Sequence, residues 1–182
     1  MNLVTKRLII RNFNNLDLED FHRLTSNIHQ AYLAGFKPHS DKKTSLYQLQ
    51  SIMLINDYFA ITLKDGTLIG DVNYYRDPIR KSPKAWQIGF ILDPKYKHQG
   101  YMQEALKAFI EYLAITHEIE ILTCVTMINN FSAQKTIEAV GFQDDGIIRK
   151  YKKLYNGDIV DCKNYSMTND EIERNVLLWQ KN

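Results

Sequence analysis

The sequence predicts a single mixed α/β domain, built as one mixed sheet with helices on its faces. Three observations carry that expectation. Two apolar, β-rich stretches each break at a tight-turn pair, Asp65–Gly66 and Asn156–Gly157. Strand and helix patterns alternate through the middle of the chain, which implies crossovers as well as hairpins. The 182 residues contain no linker, internal repeat or low-complexity tract, and a chain of this length supports one core and is short for two.

The elements follow in order. "RLIIRNF" reads as a first strand, and "NNLDLEDFHRLTSNI" as a helix with Leu16, Phe21, Leu24 and Ile28 at helical spacing. After a loop holding Gly35 and Pro38, "SDKKTSLYQLQSIMLI" repeats the pattern through Leu46, Leu49, Met53 and Leu54, with Ser40 or Asp41 as its cap. "YFAITLKDGTLIGDVNYY" is an antiparallel hairpin. "AWQIGFILD" is a further strand ended by Pro94, which lacks a backbone donor and disfavours helix at the residue before it. A helix from about Tyr101 carries Met102, Leu106, Phe109 and Leu113 on one face. "EIEILTCVTM" is a strand, and "NNFSAQKTIEAVGF" a short helix closed by Gly141 as a left-handed cap. "IIRKYKKLYNGDIVDCKNYSM" is a last hairpin with a type I′ turn at Asn156 and Gly157, and "NDEIERNVLLW" a final helix. The order is βααβββαβαββ.

Composition excludes several classes. Hydrophobic residues make up 45% and charged residues 24%, which is globular, and no stretch reaches the roughly 20 apolar residues of a membrane span. The opening "MNLVTKRLIIRNF" has charge inside its apolar run and no small-residue cleavage site, so a cytoplasmic protein is expected. A formal charge of +2 does not argue for nucleic acid. Cys124 and Cys162 lie outside any CxxC or Cys/His spacing, so they are expected to be buried thiols and no metal is expected. Lys81, Lys84, Lys95, Lys97 and His98 cluster around one stretch and point weakly to a small anionic ligand.

That stretch, "KYKHQGYMQEAL", is a loop entering a helix through glycine. Helix amino termini leave N–H groups unpaired and carry about half a positive charge, so such a loop can hold a phosphate. Gly100 lets the backbone approach a ligand, and Lys97 and His98 add charge beside it. A turn glycine beside a solvated lysine face fits these residues equally well. No P-loop or GxGxxG is present, which disfavours an ATP site.

Taken in register, "TKRLIIRNFNNLDLEDFHRL", "IGDVNYY", "QIGFILDPKYKHQGYMQEAL", "NNFSAQKTIEAVGFQDDGIIRKY" and "NGDIVDCKNYSM" resemble the GNAT superfamily of N-acetyltransferases. Within it they are most similar to the branch of ribosomal-protein N-terminal (alanine/serine) acetyltransferases. The resemblance implies that residues 1–182 form one GNAT-like N-acetyltransferase domain. Its sheet would be mixed, mostly antiparallel and seven-stranded, with strands splayed at the cofactor site. It implies acetyl-CoA as donor and a primary amine as acceptor, either a protein N-terminus or a small amine. A homodimer through the carboxy-terminal strands is also a family possibility, on which the residues are silent.

Site residues come from the same resemblance. The family's loop pattern falls on Lys97, His98, Gln99, Gly100, Tyr101 and Met102, with Lys97 keeping positive charge and Met102 bulky where the family is small. Ile91 and Leu92 would pair their backbone with the pantetheine arm as an added strand does. Asn130 matches a family asparagine that binds pantetheine amides, and capping the next helix is an equal reading.

The resemblance gives no clear acid or base. Gln87 stands where the branch carries a basic glutamate, Ala133 replaces its serine and Ile137 the superfamily's tyrosine. Ser132 is the nearest hydroxyl, displaced by about 100° of helix rotation. Asp71, Glu104, Tyr74 and Tyr75 are other ionisable candidates, with Glu104 assigned to the helix dipole and the face of Asp71 left to strand register. His29, His39 and His117 show no partner in the sequence. These departures favour, as the alternative function, a noncatalytic acetyl-CoA-binding or sensing module.

Overall fold

The computed structural model describes residues 1–181. A short strand β1 (Asn2–Val4) and β2 (Leu8–Asn12) lead through a 3₁₀ turn to α1 (Leu18–Ser26), α2 (Ile28–Ala34) and α3 (Lys42–Met53). Strands β3 (Tyr58–Leu63), β4 (Leu68–Arg76) and β5 (Ala85–Leu92) come next, then α4 (Tyr101–Thr116). The chain closes with β6 (Ile121–Met127), α5 (Phe131–Val140), β7 (Gln143–Lys153), β8 (Ile159–Thr168) and α6 (Asn169–Trp179). One sheet runs in the order β1-β2-β3-β4-β5-β6-β8-β7, with β5–β6 parallel and the other neighbours antiparallel. No helix among the described residues is long and apolar enough to cross a membrane.

Each sheet face has its own core. On one, α4 buries Met102, Ala105, Leu106, Phe109, Ile110 and Leu113 against Ile10, Ile61, Val72 and Ile88. Truncating a buried phenylalanine such as Phe109 to alanine costs about 3–5 kcal/mol. On the other face, Phe21 and Leu24 of α1 and Leu49 and Ile52 of α3 cover Ala60 and Leu68.

Several expectations need correction. The sheet has eight strands rather than seven, because Asn2–Val4 pairs with Ile9–Arg11 as an edge. The first predicted helix is three pieces. Asn27 leaves helical geometry at ψ 111° and its side chain accepts the Gln30 amide, so it ends α1 and caps α2. Leu16 and Ile28 accordingly fall at a turn and a helix start, 93% and 69% exposed. Helix α3 is capped by Asp41 as expected, but its buried positions are Ser45, Leu49 and Ile52, leaving Met53 and Leu54 exposed. Its phase is set by docking on α1, where Ser45 meets His22 and Thr25.

The last hairpin does not use a type I′ turn. Gly157 N–H reaches the Leu154 carbonyl at 3.0 Å, and Leu154 N–H reaches the Asp158 carbonyl at 2.8 Å. Gly157 alone of the turn is left-handed, at φ 93°. This is a three-residue loop closed by a glycine bulge, which needs positive φ at one position instead of two.

Candidate active site

Strands β5 and β6 pair over Ala85–Gln87 and Ile121–Thr123, and there the ladder stops. Both strands run on, as Ile88–Leu92 and Cys124–Met127, without pairing to each other. Backbone groups on the facing edges of a splayed pair need another partner. The gap opens into a cleft of about 1340 Å³, lined from the sheet by β4, β5 and β6, from above by the Gly35–Ser40 segment and from the side by α5 and β7.

One end of the cleft is the loop before α4. Asp93 accepts the Lys95 amide and starts a 3₁₀ turn at Pro94–Tyr96, after which His98 and Gly100 take left-handed φ of 60° and 78°. No side chain caps α4, so its first amides face the cleft without a carboxylate in front of them. A Cβ on Gly100 would meet only Arg7 Nη2, at 3.4 Å, so the approach is open. Behind the loop, Arg7 holds the Gln99 carbonyl at 2.8 Å, stacks over the Tyr101 ring and pairs with Glu104 at 2.6 Å. Burial works to raise the Glu104 pKa, but the Thr5 hydroxyl, the Arg7 amide and the Arg7 guanidinium bring it below the ordinary value. Glu104 is thus a strut to the β1–β2 turn, as its dipole position suggested.

The structure brings most of the expected residues to this cleft. Ile91, Leu92, Lys97, His98, Gly100, Tyr101, Met102, Asn130 and Ser132 line it. Gln99 does not: its side chain folds back onto the Lys95 carbonyl at 3.1 Å. Met102 lines the cleft and also packs in the α4 core, so the bulk that replaces a small residue is largely absorbed there. Asn130 is the cap of α5, accepting the Ala133 amide at 3.3 Å while facing the cleft. Ile137 is fully buried in the core. Of the lysine cluster, Lys84 turns away to Glu118 at 3.1 Å, and only Lys97 and His98 reach the cleft. Burial lowers the Lys97 pKa.

The other end of the cleft holds Asp71, Tyr75 and Gln87, which the sequence named without fixing their faces, and Asn73, which it did not name. Register puts Asp71 opposite Ile91, Asn73 opposite Gly89 and Tyr75 opposite Gln87, so these pairs share one sheet face. That face is polar where a sheet face under a helix is usually apolar. Asn73 sits over Gly89, where a Cβ would come within 2.8 Å of its Oδ1. Gln87 Nε2 donates to the Tyr75 hydroxyl at 2.6 Å, and Gln87 Oε1 is buried with no partner. Asp71 lines the cleft but is only 5% exposed, and burial pushes its carboxyl up to about 7 against the opposing hydrogen bond from Asn73. Burial also drives the Tyr75 phenol up to about 12.

Above this face, the buried Ser45 hydroxyl is shared by His22 Nδ1 at 2.8 Å and His39 Nδ1 at 2.9 Å. His39, without a visible partner in the sequence, therefore has one and lines the cleft; burial and then His22 lower its pKa. Lys152 of β7 reaches across to the end of α2, its Nζ lying 2.5 Å from where a Gly35 Cβ would stand. Among the described residues lining the cleft, Asp71 is the sole carboxylate, against Lys37, Lys97, Lys135 and Lys152.

A parallel pair opened at one end, with an uncapped helix aimed into the opening, matches known proteins. The acetyltransferase (GNAT) domain profile matches residues 7–143. The chain is 24% identical over 153 residues to an uncharacterized N-acetyltransferase, YnaD, of Bacillus subtilis (strain 168), covering 82% of this chain and 87% of that one. In fold it resembles a ribosomal-protein-S5-alanine acetyltransferase from Vibrio fischeri, with TM-score 0.73, 20% identity and coverage of 94% and 98%. It also resembles a spermidine N-acetyltransferase from Vibrio cholerae in complex with CoA and spermine, with TM-score 0.77, 18% identity and coverage of 93% and 99%. The names of these two neighbours point to acceptors as different as a ribosomal protein and spermidine, so the likenesses carry the fold and not the substrate. The chain belongs to the GNAT acetyltransferase family, and is an N-acetyltransferase that uses acetyl-CoA.

Proposed function

We propose that the protein acetylates the α-amine of a peptide terminus, or a small amine carrying a carboxylate, and that polyamines are poor acceptors. The observation that carries this reading is the charge around the cleft. Its acceptor mouth presents Lys37 and Lys152, and the single lining carboxylate, Asp71, is buried at the sheet. A polycation needs several carboxylates to replace its hydration and repels like charge, whereas one amine followed by an anionic group fits one buried acid and a lysine rim.

The donor end fits acetyl-CoA. Open space over Gly100, uncapped amides from Tyr101 onward, and Lys97 and His98 beside them suit a pyrophosphate. Ile91 and Leu92 offer the unpaired edge of β5 to the pantetheine amides, and Asn130 faces the same gap. Bound there, acetyl-CoA supplies an acetyl thioester whose thiol leaves readily, because thiol pKa values lie near 8.5. The chain's part is to align amine and donor, a contribution worth about 7 kcal/mol or more when geometry is right. Ser132 faces the cleft at the start of α5, which supports it as the candidate donor to the departing sulfur.

Thiol release from acetyl-CoA, followed with a panel of acceptors, tests this reading. Peptides with an acidic residue after a free terminus are expected to give the highest kcat/KM, and spermidine at least about tenfold less. Spermidine as the best acceptor would refute the assignment.

A further inference from the structure

The proton economy of the reaction points to a residue that the family pattern does not supply. An α-amine has a pKa of about 7.7–8.0 and attacks only when neutral, so a bound ammonium must lose a proton. Gln87 is an amide with no useful basicity, and Ile137 and Ala133 have no titratable group. We propose that Asp71 is the proton acceptor for the incoming amine.

Geometry supports it first. Asp71 lies on the cleft face of β4, in the cross-strand row with Ile91, and lines the cavity from the centre of the sheet. Among the described residues no lysine or arginine pairs with it, and Asn73 is its hydrogen-bond partner. A buried carboxyl without a cation is costly to keep, and such groups collect at functional sites.

The groups facing it do not replace a cation. Tyr58 on β3 is a phenol raised by burial and then by Asp71 itself, and Tyr75 and Tyr151 are phenols also raised by burial. Cys124 on β6 is a thiol held near 12 by burial. On α1, Arg23 is taken by Asp20 and Asp93, and His22 by Ser45. His39 lines the cleft with its pKa lowered, which favours its neutral form.

With Asp71 raised to about 7, transfer from an α-amine is nearly balanced, whereas an ordinary carboxylate would be mismatched by about four units. The step conserves atoms and charge. Asp71 takes one proton from R–NH₃⁺, the neutral nitrogen bonds to the acetyl carbon as the carbon–sulfur bond breaks, and the nitrogen's surplus proton passes to water. The products are the amide, the CoA thiolate, protonated Asp71 and one solvated proton.

The test is the pH dependence of kcat/KM for the wild type and Asp71→Asn, using two acceptor peptides whose α-amine pKa values differ. The wild type is expected to show a bell. Its rising limb stays near pH 7 for both peptides, and its falling limb moves with the amine. D71N is expected to lose about a hundredfold to ten-thousandfold at neutral pH and to rise once, tracking the amine pKa. Acetyl-CoA binding by calorimetry should be unchanged, which separates this loss from a failed donor site or a failed fold. A wild-type profile with one rise that follows the amine would overturn the proposal without any variant. So would D71N retaining activity within about threefold of wild type with unchanged donor affinity.

Discussion

The two ends of the β5–β6 pair differ in what holds them. At the zipped end, Asp77 is fully buried, bonds the Ile79 and Arg80 amides at 2.7 and 3.1 Å, and takes the Thr123 hydroxyl at 2.8 Å. Arg80 bridges Asp77 to Asp145, and Asp145 in turn accepts from Asn164 and Ser166 of β8. The β4–β5 loop is thus tied to β6, β7 and β8 just below the fork. At the open end the polar groups are left over instead: a strand edge, an uncapped helix, the orphan Gln87 Oε1 and Asp71, which has Asn73 but no cation beside it. The contrast teaches that the fork pairs its buried charges at one end, where Asn164 Oδ1 alone of that network lacks a partner, and leaves a buried carboxyl without a cation at the other.

The sharpest way to break the contrast is at the closed end. Asp77→Ala strands Arg80, Thr123 and two amides, and is expected to cost about 3–5 kcal/mol in denaturant unfolding. A loss under about 1 kcal/mol would mean the fork is held elsewhere.

The open end should show the opposite sign. Asp71 is raised from about 3.8 unfolded to about 7 folded, so its contribution to stability is complete below pH 4 and is lost as pH climbs to 7. That loss amounts to about 4 kcal/mol at 1.36 kcal/mol per unit. Asp71→Asn is therefore expected to gain on the wild type between those pH values, up to a few kcal/mol, while activity falls. A pH-independent difference would show that Asp71 titrates normally.

Smaller effects refine the donor side. Gly100→Val, at a φ of 78°, should cost about 1–2 kcal/mol of stability and weaken acetyl-CoA at least about tenfold by calorimetry. Ser132→Ala should lower kcat by no more than about threefold, because a thiolate leaves with little assistance.

The Gly100 end of the cleft was largely readable from the sequence, since its signals are local: Pro94 stops a strand, Gly100 opens a helix and Asn130 caps another. The Asp71 end was not. The face of Asp71 depends on a register that only pairing with β3 and β5 fixes. The approach of Lys152 to Gly35 and the contact of Ser45 with His22 join residues far apart in the chain. The helical spacing of Leu16 and Ile28 misled because Asn27, a residue disfavoured inside helices and favoured at their N-caps, breaks the run. Eight strands appeared where seven were expected because Asn2–Val4 is too short for alternation to register.

Amide hydrogen exchange with and without acetyl-CoA tests most directly whether the open end of the fork is the donor site. Protection is expected to rise at Ile88–Leu92 and at Tyr101–Gln103, with Ala85–Gln87 already slow and unchanged. Added acetyl-CoA that slows neither of the first two segments, or slows only amides outside the cleft, would contradict the account.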